Sequence, residues 1–347
     1  MQNFTRREML ALLAAGAAVP SVVHASHERD WDWAVGSWDV FHRRLKERLV
    51  GSTEWQEFAG RSSFWTAMGG LGNFDDNLLE LPSGVYRGLS ARAFDPATNT
   101  WAIWWLDGRN PERIEPPVRG VFKGDEGEFI GRDVHKGTPV TVRFRWHEVH
   151  GSRPWWDQAF STDDGRTWEI NWRNYFTRTS LDARSQPRIA NDPPETRAWD
   201  FLVGKWNVRN RRLRTRFAGS RVWDEFDSTL VNRQVLGGRG NVGDNRFAVP
   251  GTPWCGMSLR AYNDEKKEWL SWWLDARNPA DIGAPMRGKF ADGTIMLFGD
   301  DQFSGKPAKV RSTWTRTDSN SPHWQQASSI DGGKTWEVNW EASFERA

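Results

Sequence analysis

Stretches in which apolar and polar residues alternate recur along most of this chain. Within residues 140–147, valine, phenylalanine and tryptophan alternate with threonine, arginine and histidine. A period of two residues indicates a β-strand with two different faces. Turn signals such as Asp95-Pro96 and Lys136-Gly137 separate these stretches. No long helical pattern follows residue 25, so the pattern predicts an all-β protein.

The same pattern occurs twice, at a constant offset of 168 residues. Val35-Gly-Ser-Trp38 matches Val203-Gly-Lys-Trp206, and Trp104-Trp-Leu-Asp107 matches Trp272-Trp-Leu-Asp275. The alignment needs no insertion or deletion. Each copy has about 150 residues, enough to form a core of its own.

The repeat divides the chain into four segments. We expect a signal peptide over residues 1–25, a first domain over 26–179, a linker over 180–197 and a second domain over 198–347. The linker contains Pro187, Pro193 and Pro194 and few large apolar residues. About eight to ten short strands in each copy predict two tandem antiparallel β-barrels.

A short motif supports this fold. Gly36-Ser-Trp38 and Gly204-Lys-Trp206 open the first strand of each domain and resemble the Gly-x-Trp signature of lipocalins and related calycin barrels. The resemblance implies two lipocalin-like barrels in which Arg178 and Arg346, near the end of the last strands, pack across the tryptophan rings. The whole repeat is also similar to a bacterial domain family of unknown function, which carries no established activity.

The first residues resemble an export signal. Arg6-Arg7 precedes a nearly uncharged run and a small-residue site at Val23-His24-Ala25, as in twin-arginine signal peptides. We therefore expect a periplasmic protein. No later stretch approaches the roughly 20 apolar residues of a membrane span, so we expect no membrane association after the signal is removed.

Composition narrows the possible partners. The formal net charge is +2, and removal of Arg6, Arg7 and Glu8 with the signal lowers it to +1. Such a balance gives no reason to expect nucleic acid or anionic lipid. The single cysteine, Cys255, excludes an intramolecular disulfide and a cysteine-based metal cluster. The 24 tryptophans, against 3 tyrosines, either fill two small cores or line cavities.

Several motifs favour a structural interpretation. Ser161-x-Asp-x-Gly-x-Thr-Trp168, repeated from Ser329 to Trp336, resembles the Asp box of sialidase-type propellers, where it shapes a hairpin. Gly69-Gly-x-Gly-Asn73 lacks the Lys-Ser/Thr of a phosphate loop, so we interpret it as a bend. We expect no metal site, because the histidines are not repeated, although His42 with His147 remains an alternative.

Polar residues that recur on strands otherwise supplying core are the main functional candidates. Either they form surface and rim salt bridges, or several of them line a cavity in which an arginine lies beside a tryptophan wall. They are Glu57/Glu225, Arg92/Arg260, Asp107/Asp275, Arg109/Arg277, Arg119/Arg287, Arg143/Arg311 and Asn171/Asn339. A buried Arg92 would need a carboxylate partner, and we expect Asp107 on the neighbouring strand.

These candidates define two predicted sites. The predicted ligand-binding residues are Trp55, Arg92, Trp105, Arg109, Arg143 and Trp156 in the first domain, and Trp223, Arg260, Trp273, Asp275 and Arg311 in the second. The predicted acid and base candidates are Glu57, Asp107 and His147. The first domain is the preferred site, because only it adds His42, Tyr86 and His147.

The favoured hypothesis is a binder of a small organic ligand, either aromatic or hydroxylated and anionic. The alternative is a cofactor-independent lyase, isomerase or hydratase that uses the acid and base candidates; paired lipocalin-like domains also occur in hydratase-like proteins. A third class, a structural or partner-binding module, would require an exposed tryptophan patch. No cofactor is expected in any of these.

Overall fold

A computed structural model describes residues 26–347, which form two closed antiparallel barrels of ten strands each. This confirms the predicted fold class. The predicted signal segment, residues 1–25, lies outside the described residues. Over residues 26–347, no helix has the length and apolar character needed to cross a membrane.

The first barrel consists of strands β1 (Gly36–Leu45), β2 (Trp55–Ala67), β3 (Gly72–Leu81), β4 (Gly84–Asp95), β5 (Thr100–Asp107), β6 (Val118–Lys123), β7 (Glu126–His135), β8 (Thr138–His147), β9 (Trp155–Ser161) and β10 (Glu169–Ser180). The second consists of β11 (Gly204–Leu213), β12 (Trp223–Val235), β13 (Gly240–Phe247), β14 (Trp254–Asn263), β15 (Glu268–Asp275), β16 (Met286–Ala291), β17 (Thr294–Phe303), β18 (Lys306–Thr315), β19 (His323–Ser329) and β20 (Glu337–Arg346). The described helices are short 3-10 turns at Asp32–Ala34, Met68–Gly70, Pro194–Arg197, Asp200–Leu202 and Leu236–Gly238.

Both barrels have an up-and-down topology. Each strand pairs with the next one in the chain, and the first pairs with the last, β1 with β10 and β11 with β20. The predicted turn at Lys136-Gly137 has positive φ at both residues, 47° and 84°, as a tight two-residue hairpin requires. Closure leaves neither barrel with an open sheet edge.

A tryptophan closes one end of each barrel. The Trp38 indole donates to the carbonyl oxygen of Ala34 at 2.8 Å, and the Arg178 guanidinium lies 3.9 Å from its ring centroid. Trp206 and Arg346 repeat this arrangement, also at 3.9 Å. The expected cation–π contact is therefore confirmed in both domains.

The two Asp boxes shape hairpins, as predicted. Asp163 accepts hydrogen bonds from the backbone N–H of Thr167 at 2.9 Å and from its hydroxyl at 2.7 Å. Hydrogen bonding to Thr167 lowers the pKa of Asp163 to about 2. Asp331 makes the same bonds to Thr335. Both carboxylates thus accept hydrogen bonds from their own turns, which is a structural role.

The two barrels pack against each other through equivalent outer faces. One apolar cluster joins strands β2–β5 to β12–β15, with Trp104 and its repeat partner Trp272 both buried in it. Asp76 accepts the backbone N–H of Leu236 at 2.8 Å, and Asp244 accepts that of Met68 at the same distance. Because each contact has its repeat equivalent, the interface has the isologous character of a twofold dimer.

The segment between the barrels is ordered against both of them. Ser63 of β2 donates to the carbonyl oxygen of Arg184 at 2.7 Å, and the Ile189 N–H donates to the carbonyl oxygen of Gly237 at 2.8 Å. The predicted linker segment is therefore hydrogen-bonded to both barrels.

Candidate binding site

The interior of the first barrel contains a cavity of about 280 Å³. It extends from the Trp38 end toward the opposite end, where the segments joining β1 to β2 and β5 to β6 contribute side chains. Of the predicted ligand-binding residues, Trp105 and Trp156 line it, together with Tyr86, Trp172 and several polar residues. Apolar walls with a few polar groups are typical of small-molecule sites.

A buried ion pair forms the floor of the cavity. The guanidinium of Arg92 lies 2.5 Å from a carboxylate oxygen of Asp75 and 4.2 Å from the centroid of Trp31. Ser90 donates to the same carboxylate at 3.0 Å. Burial lowers the pKa of Arg92, and Asp75 opposes that shift. The predicted pairing of Arg92 with Asp107 is wrong, because Arg92 lies opposite Ile103 in the β4–β5 register.

A neutral histidine lies in the middle of the wall. The Nδ1–H of His42 donates to the side-chain oxygen of Asn174 at 2.7 Å, and the ring stacks on Phe58 at 4.7 Å. Burial lowers the pKa of His42 to about 4, so it is uncharged at neutral pH. The Nε2 atom is buried without a partner, and Gly60 leaves the space beside it.

The mouth of the cavity is charged. Asp107 receives two hydrogen bonds from the Arg109 guanidinium, at 3.0 and 2.6 Å, and that guanidinium lies 3.8 Å from the Tyr86 centroid. This is the rim salt bridge that the sequence left open as one interpretation. Beside it, burial and the neighbouring carboxylates of Asp133 and Asp107 raise the pKa of Glu115 to about 7.

Two further arginines reach the cavity from β1 and the segment after it. The guanidinium of Arg44 lies 5.2 Å from the Trp172 centroid, and that of Arg48 lies 5.7 Å from the same ring. Arg48 also lies 5.5 Å from the centroid of Phe160. The indole of Trp172 is thus flanked by two cations.

Four of the predicted first-domain residues lie outside the cavity. Glu57 is 52% exposed and pairs with Arg43 at 2.9 Å, and Trp55 shares that outer face of β2 because it is two residues away. On β8, Arg143 and His147 alternate with the inward Val142, Phe144 and Trp146. Besides Glu57, the structure places the other three as follows: Arg143 lies over Trp168 at 4.2 Å, His147 stacks on Trp155 at 3.7 Å, and Trp55 is covered by Arg43 and Arg173.

The acid and base candidates are therefore not brought together. His147 lies between Glu126 at 2.5 Å and Asp157 at 2.9 Å on the outer wall, whereas Asp107 lies at the cavity mouth. His42 and His147 lie on opposite sides of the wall, so they do not form a metal site. Within residues 26–347, no group of three His, Cys, Asp or Glu side chains is arranged to hold a metal ion.

In the second barrel, aromatic rings occupy the corresponding space. Phe247 and Trp254 stack at 4.0 Å, and Trp340 packs beside them. These residues are the repeat partners of Leu79, Tyr86 and Trp172.

The predicted second-domain residues are consequently packed or superficial. Arg260 is buried over Trp199 at 4.2 Å, and burial lowers its pKa to about 9, since Gly243 replaces the carboxylate of Asp75. The others are placed as follows: Trp223 under Arg211 at 4.8 Å, Trp273 37% exposed, Asp275 in a salt bridge with Arg277 at 2.6 Å, and Arg311 over Trp336 at 4.7 Å.

Sequence reasoning missed Arg44, Arg48, Asp75, Glu115 and Trp172. The first two and Trp172 recur as Arg212, Arg216 and Trp340, so the repeat itself contained a signal for them. Asp75 and Glu115 are replaced by Gly243 and Gly283. A search for repeated polar residues therefore excludes the two carboxylates that make the first cavity different.

No protein-family model and no curated protein matches this chain. Among solved structures, it is similar to a protein of unknown function of the DUF3598 family from Nostoc punctiforme, with 11% identity over 93% of this chain and 100% of that one and a TM-score of 0.28. It is also similar to a point mutant of transferrin binding protein B from Haemophilus parasuis, with 9% identity, 89% and 74% coverage and a TM-score of 0.18. A putative AttH from Nitrosomonas europaea has 9% identity, 90% and 94% coverage and a TM-score of 0.15. Likeness at this level says nothing about activity or ligand.

Proposed function

We propose that this protein binds a small organic molecule in the cavity of its first barrel, and that the second barrel has a structural role. The observation that carries the proposal is the contrast between the two interiors. The first holds a cavity of about 280 Å³ lined by aromatic and polar side chains, whereas stacked rings occupy the equivalent level of the second.

The contrast depends on a few substitutions between the copies. Leu79 and Tyr86 of the first barrel are replaced by Phe247 and Trp254 in the second. Each replacement adds ring volume at the same level of the barrel. A cavity of this size suits a ligand with about one or two rings, and the tryptophan walls favour an aromatic or hydroxylated body.

Filling the cavity with the second barrel's own residue tests the proposal. We expect Leu79→Phe to weaken ligand binding by at least about tenfold, because the added ring takes ligand volume. Binding is measured by tryptophan fluorescence and calorimetry with benzoate, 4-hydroxybenzoate, trans-cinnamate, their amides and neutral sugars. The matched control is Phe247→Leu, which changes only the second barrel.

Thermal unfolding of both variants separates loss of binding from loss of fold. Binding that is equally strong in wild type and Leu79→Phe, or weakened only by Phe247→Leu, would contradict the first-barrel site. No saturable binding of any probe to wild type would also count against the function.

We also propose, from the sequence alone, that the protein is exported through the twin-arginine route and works in the periplasm. Replacing both Arg6 and Arg7 by lysine should leave full-length precursor in the cytoplasm, as detected by fractionation and immunoblotting. The Arg48→Gln variant, with an intact signal, serves as the control. Undiminished periplasmic delivery of the Lys-Lys variant would refute this route.

A further inference from the structure

We infer that the ligand of the first barrel carries a carboxylate, which binds to the Arg48 guanidinium at the mouth of the cavity, with Arg44 as a second cation beside it. This inference rests on the proposed function and specifies the ligand class. The observation behind it is that Arg44 and Arg48, the two cations beside Trp172, have no carboxylate of the described residues within 4.0 Å.

Arg48 lies in the cavity lining without a counter-ion of its own. Its guanidinium contacts the rings of Phe160 and Trp172, at 5.5 and 5.7 Å from their centroids. Across residues 26–347, Arg48 forms no ion pair within 4.0 Å and no protein group accepts a hydrogen bond from it. The carboxylates of Glu169 and Glu115 act on it only from a longer distance, and Glu169 is engaged by the backbone N–H of Leu49. Arg48 is partly buried, and a cation that has lost part of its hydration without gaining a protein acceptor stabilises an anion that enters beside it.

Arg44, the neighbouring cation, adds to the positive charge beside Trp172. Arg44 lies over Trp172 and Phe58, and no carboxylate of the described part of the chain lies within 4.0 Å of it either. The side-chain oxygen of Gln56 accepts from Arg44 at 2.8 and 3.0 Å in the amide orientation that satisfies both groups. Burial, and then Arg44, lower the pKa of Arg48 to about 10, so Arg48 is still charged at neutral pH.

Two other arginines of the cavity lining already have ion-pair partners. Arg109 is held by Asp107 at 2.6 Å, and Arg132 by Asp164 at 3.1 Å. Glu115 and Asp133 also line the cavity, and Glu115 interacts electrostatically with both Arg113 and Arg48. Within the described part of the chain, the two arginines beside Trp172 are thus lining cations without an ion pair of their own within 4.0 Å.

The net charge of the whole cavity lining also favours an anionic ligand. Six arginine and four acidic side chains line the cavity, an excess of two positive charges. The ten equivalent positions of the second barrel hold four arginines, four aspartates and two glycines, so their charges cancel. Arg216, the partner of Arg48, has Asp301 at 3.7 Å and the hydroxyl of Ser328 at 3.4 Å. In the second barrel the charge of Arg216 is thus neutralised by Asp301, whereas in the first barrel Arg48 has no ion-pair partner within 4.0 Å among the described residues.

Matched pairs of ligands test the inference. Benzoate, 4-hydroxybenzoate and trans-cinnamate are each compared with the corresponding amide, which has nearly the same shape but no charge. We expect the tightest carboxylate to bind wild type about 10- to 100-fold better than its amide, as a charge-assisted, partly desolvated contact allows. Arg48→Gln should bring the two within about threefold, and Arg48→Lys should retain part of the preference.

Arg216→Gln is the matched control in the second barrel and should leave both affinities unchanged. Far-UV circular dichroism and thermal unfolding show whether each variant folds. Equal binding of carboxylate and amide, or a carboxylate preference that survives in Arg48→Gln, would overturn the inference while leaving the binding function intact. Absence of binding by every carboxylate and every amide, with binding of a neutral sugar, would overturn the inference alone, whereas absence of binding by every probe, the sugars included, would overturn the proposed function and the inference with it.

Discussion

Some tryptophan side chains of this protein close a barrel end and others line the cavity, and the groups around each ring distinguish the two kinds. The guanidinium of Arg178 lies over the Trp38 ring and donates to the carbonyl oxygens of Val35 and Trp33. The two guanidinium groups beside Trp172 differ from this, because Arg44 donates only to the side-chain oxygen of Gln56 and Arg48 has no acceptor among residues 26–347. In the first environment the indole and guanidinium groups donate to backbone carbonyl oxygens, which is a structural arrangement. The second leaves donors free toward a cavity, which is what a binding site requires.

Gly88 shows how a missing side chain positions a cavity wall. A Cβ atom at Gly88 would lie 2.2 Å from the Trp105 ring, so the ring packs directly on the β4 backbone. We expect Gly88→Ala to displace Trp105, to weaken ligand binding by about tenfold and to cost about 1–3 kcal/mol of stability. Fluorescence titration and urea unfolding measure the two effects.

Gly256 is the matched control, since its Cβ would lie 2.2 Å from the Trp273 ring in the second barrel. Gly256→Ala should reduce stability and leave binding unchanged. A binding loss of the same size in both variants would mean that Trp105 has no special part in the site.

At the scale of the strands, the burial pattern distinguishes two kinds of wall. Strand β7 has exposed residues at alternate positions along its whole length, as expected for a sheet with a solvent face. Strand β4 is buried continuously from Gly88 to Phe94, because one face borders the barrel interior and the other borders the second barrel. Runs such as Leu89-Ser-Ala-Arg-Ala-Phe94 are thus a consequence of packing between barrels.

At the scale of the molecule, buried carboxylates connect the two barrels. Asp76 is buried and accepts the N–H of Leu236. Burial raises its pKa to about 6, despite opposing effects of that hydrogen bond and of Arg87. Its counterpart Asp244 also has a raised pKa because of burial.

This shift predicts how stability depends on pH. The pKa of Asp76 is about 6 when folded and about 4 when unfolded, so the folded state holds its proton more tightly. Its contribution is complete below about pH 4 and is lost as the pH rises through 6. We expect Asp76→Asn, which keeps an acceptor for Leu236, to remove a decrease of about 2 kcal/mol over this range.

Urea unfolding of wild type and Asp76→Asn at several pH values between 4 and 7 measures the difference. Asp227→Asn, at an exposed position of the second barrel, controls for general charge effects. Parallel stability curves for wild type and Asp76→Asn would show that the interface carboxylate does not titrate in this range.

The sequence by itself determined the fold of each half. Period-two alternation indicates the strands, the repeat at a constant offset of 168 residues indicates a duplicated barrel, and the Gly-x-Trp motifs indicate the closed end of each barrel. All three are local or repeated signals. The same alternation indicates that Arg143 and His147 face away from Val142 and Trp146, so their outward position was also contained in the sequence. Repetition pointed correctly to Arg92, but not to its partner.

Only the tertiary structure decided where the cavity lies and what surrounds it. Asp75 meets Arg92 because the register of the β3–β4 pair places Asn73 opposite Arg92 and Asp75 two residues further along, and Arg44 meets Trp172 because barrel closure pairs β1 with β10. Whether a ring fills a barrel or lines a cavity depends on the summed volume of residues that are far apart in sequence, such as Leu79 and Trp172. Burial and net charge at a site are likewise properties of the assembled wall, which no single segment of the chain encodes.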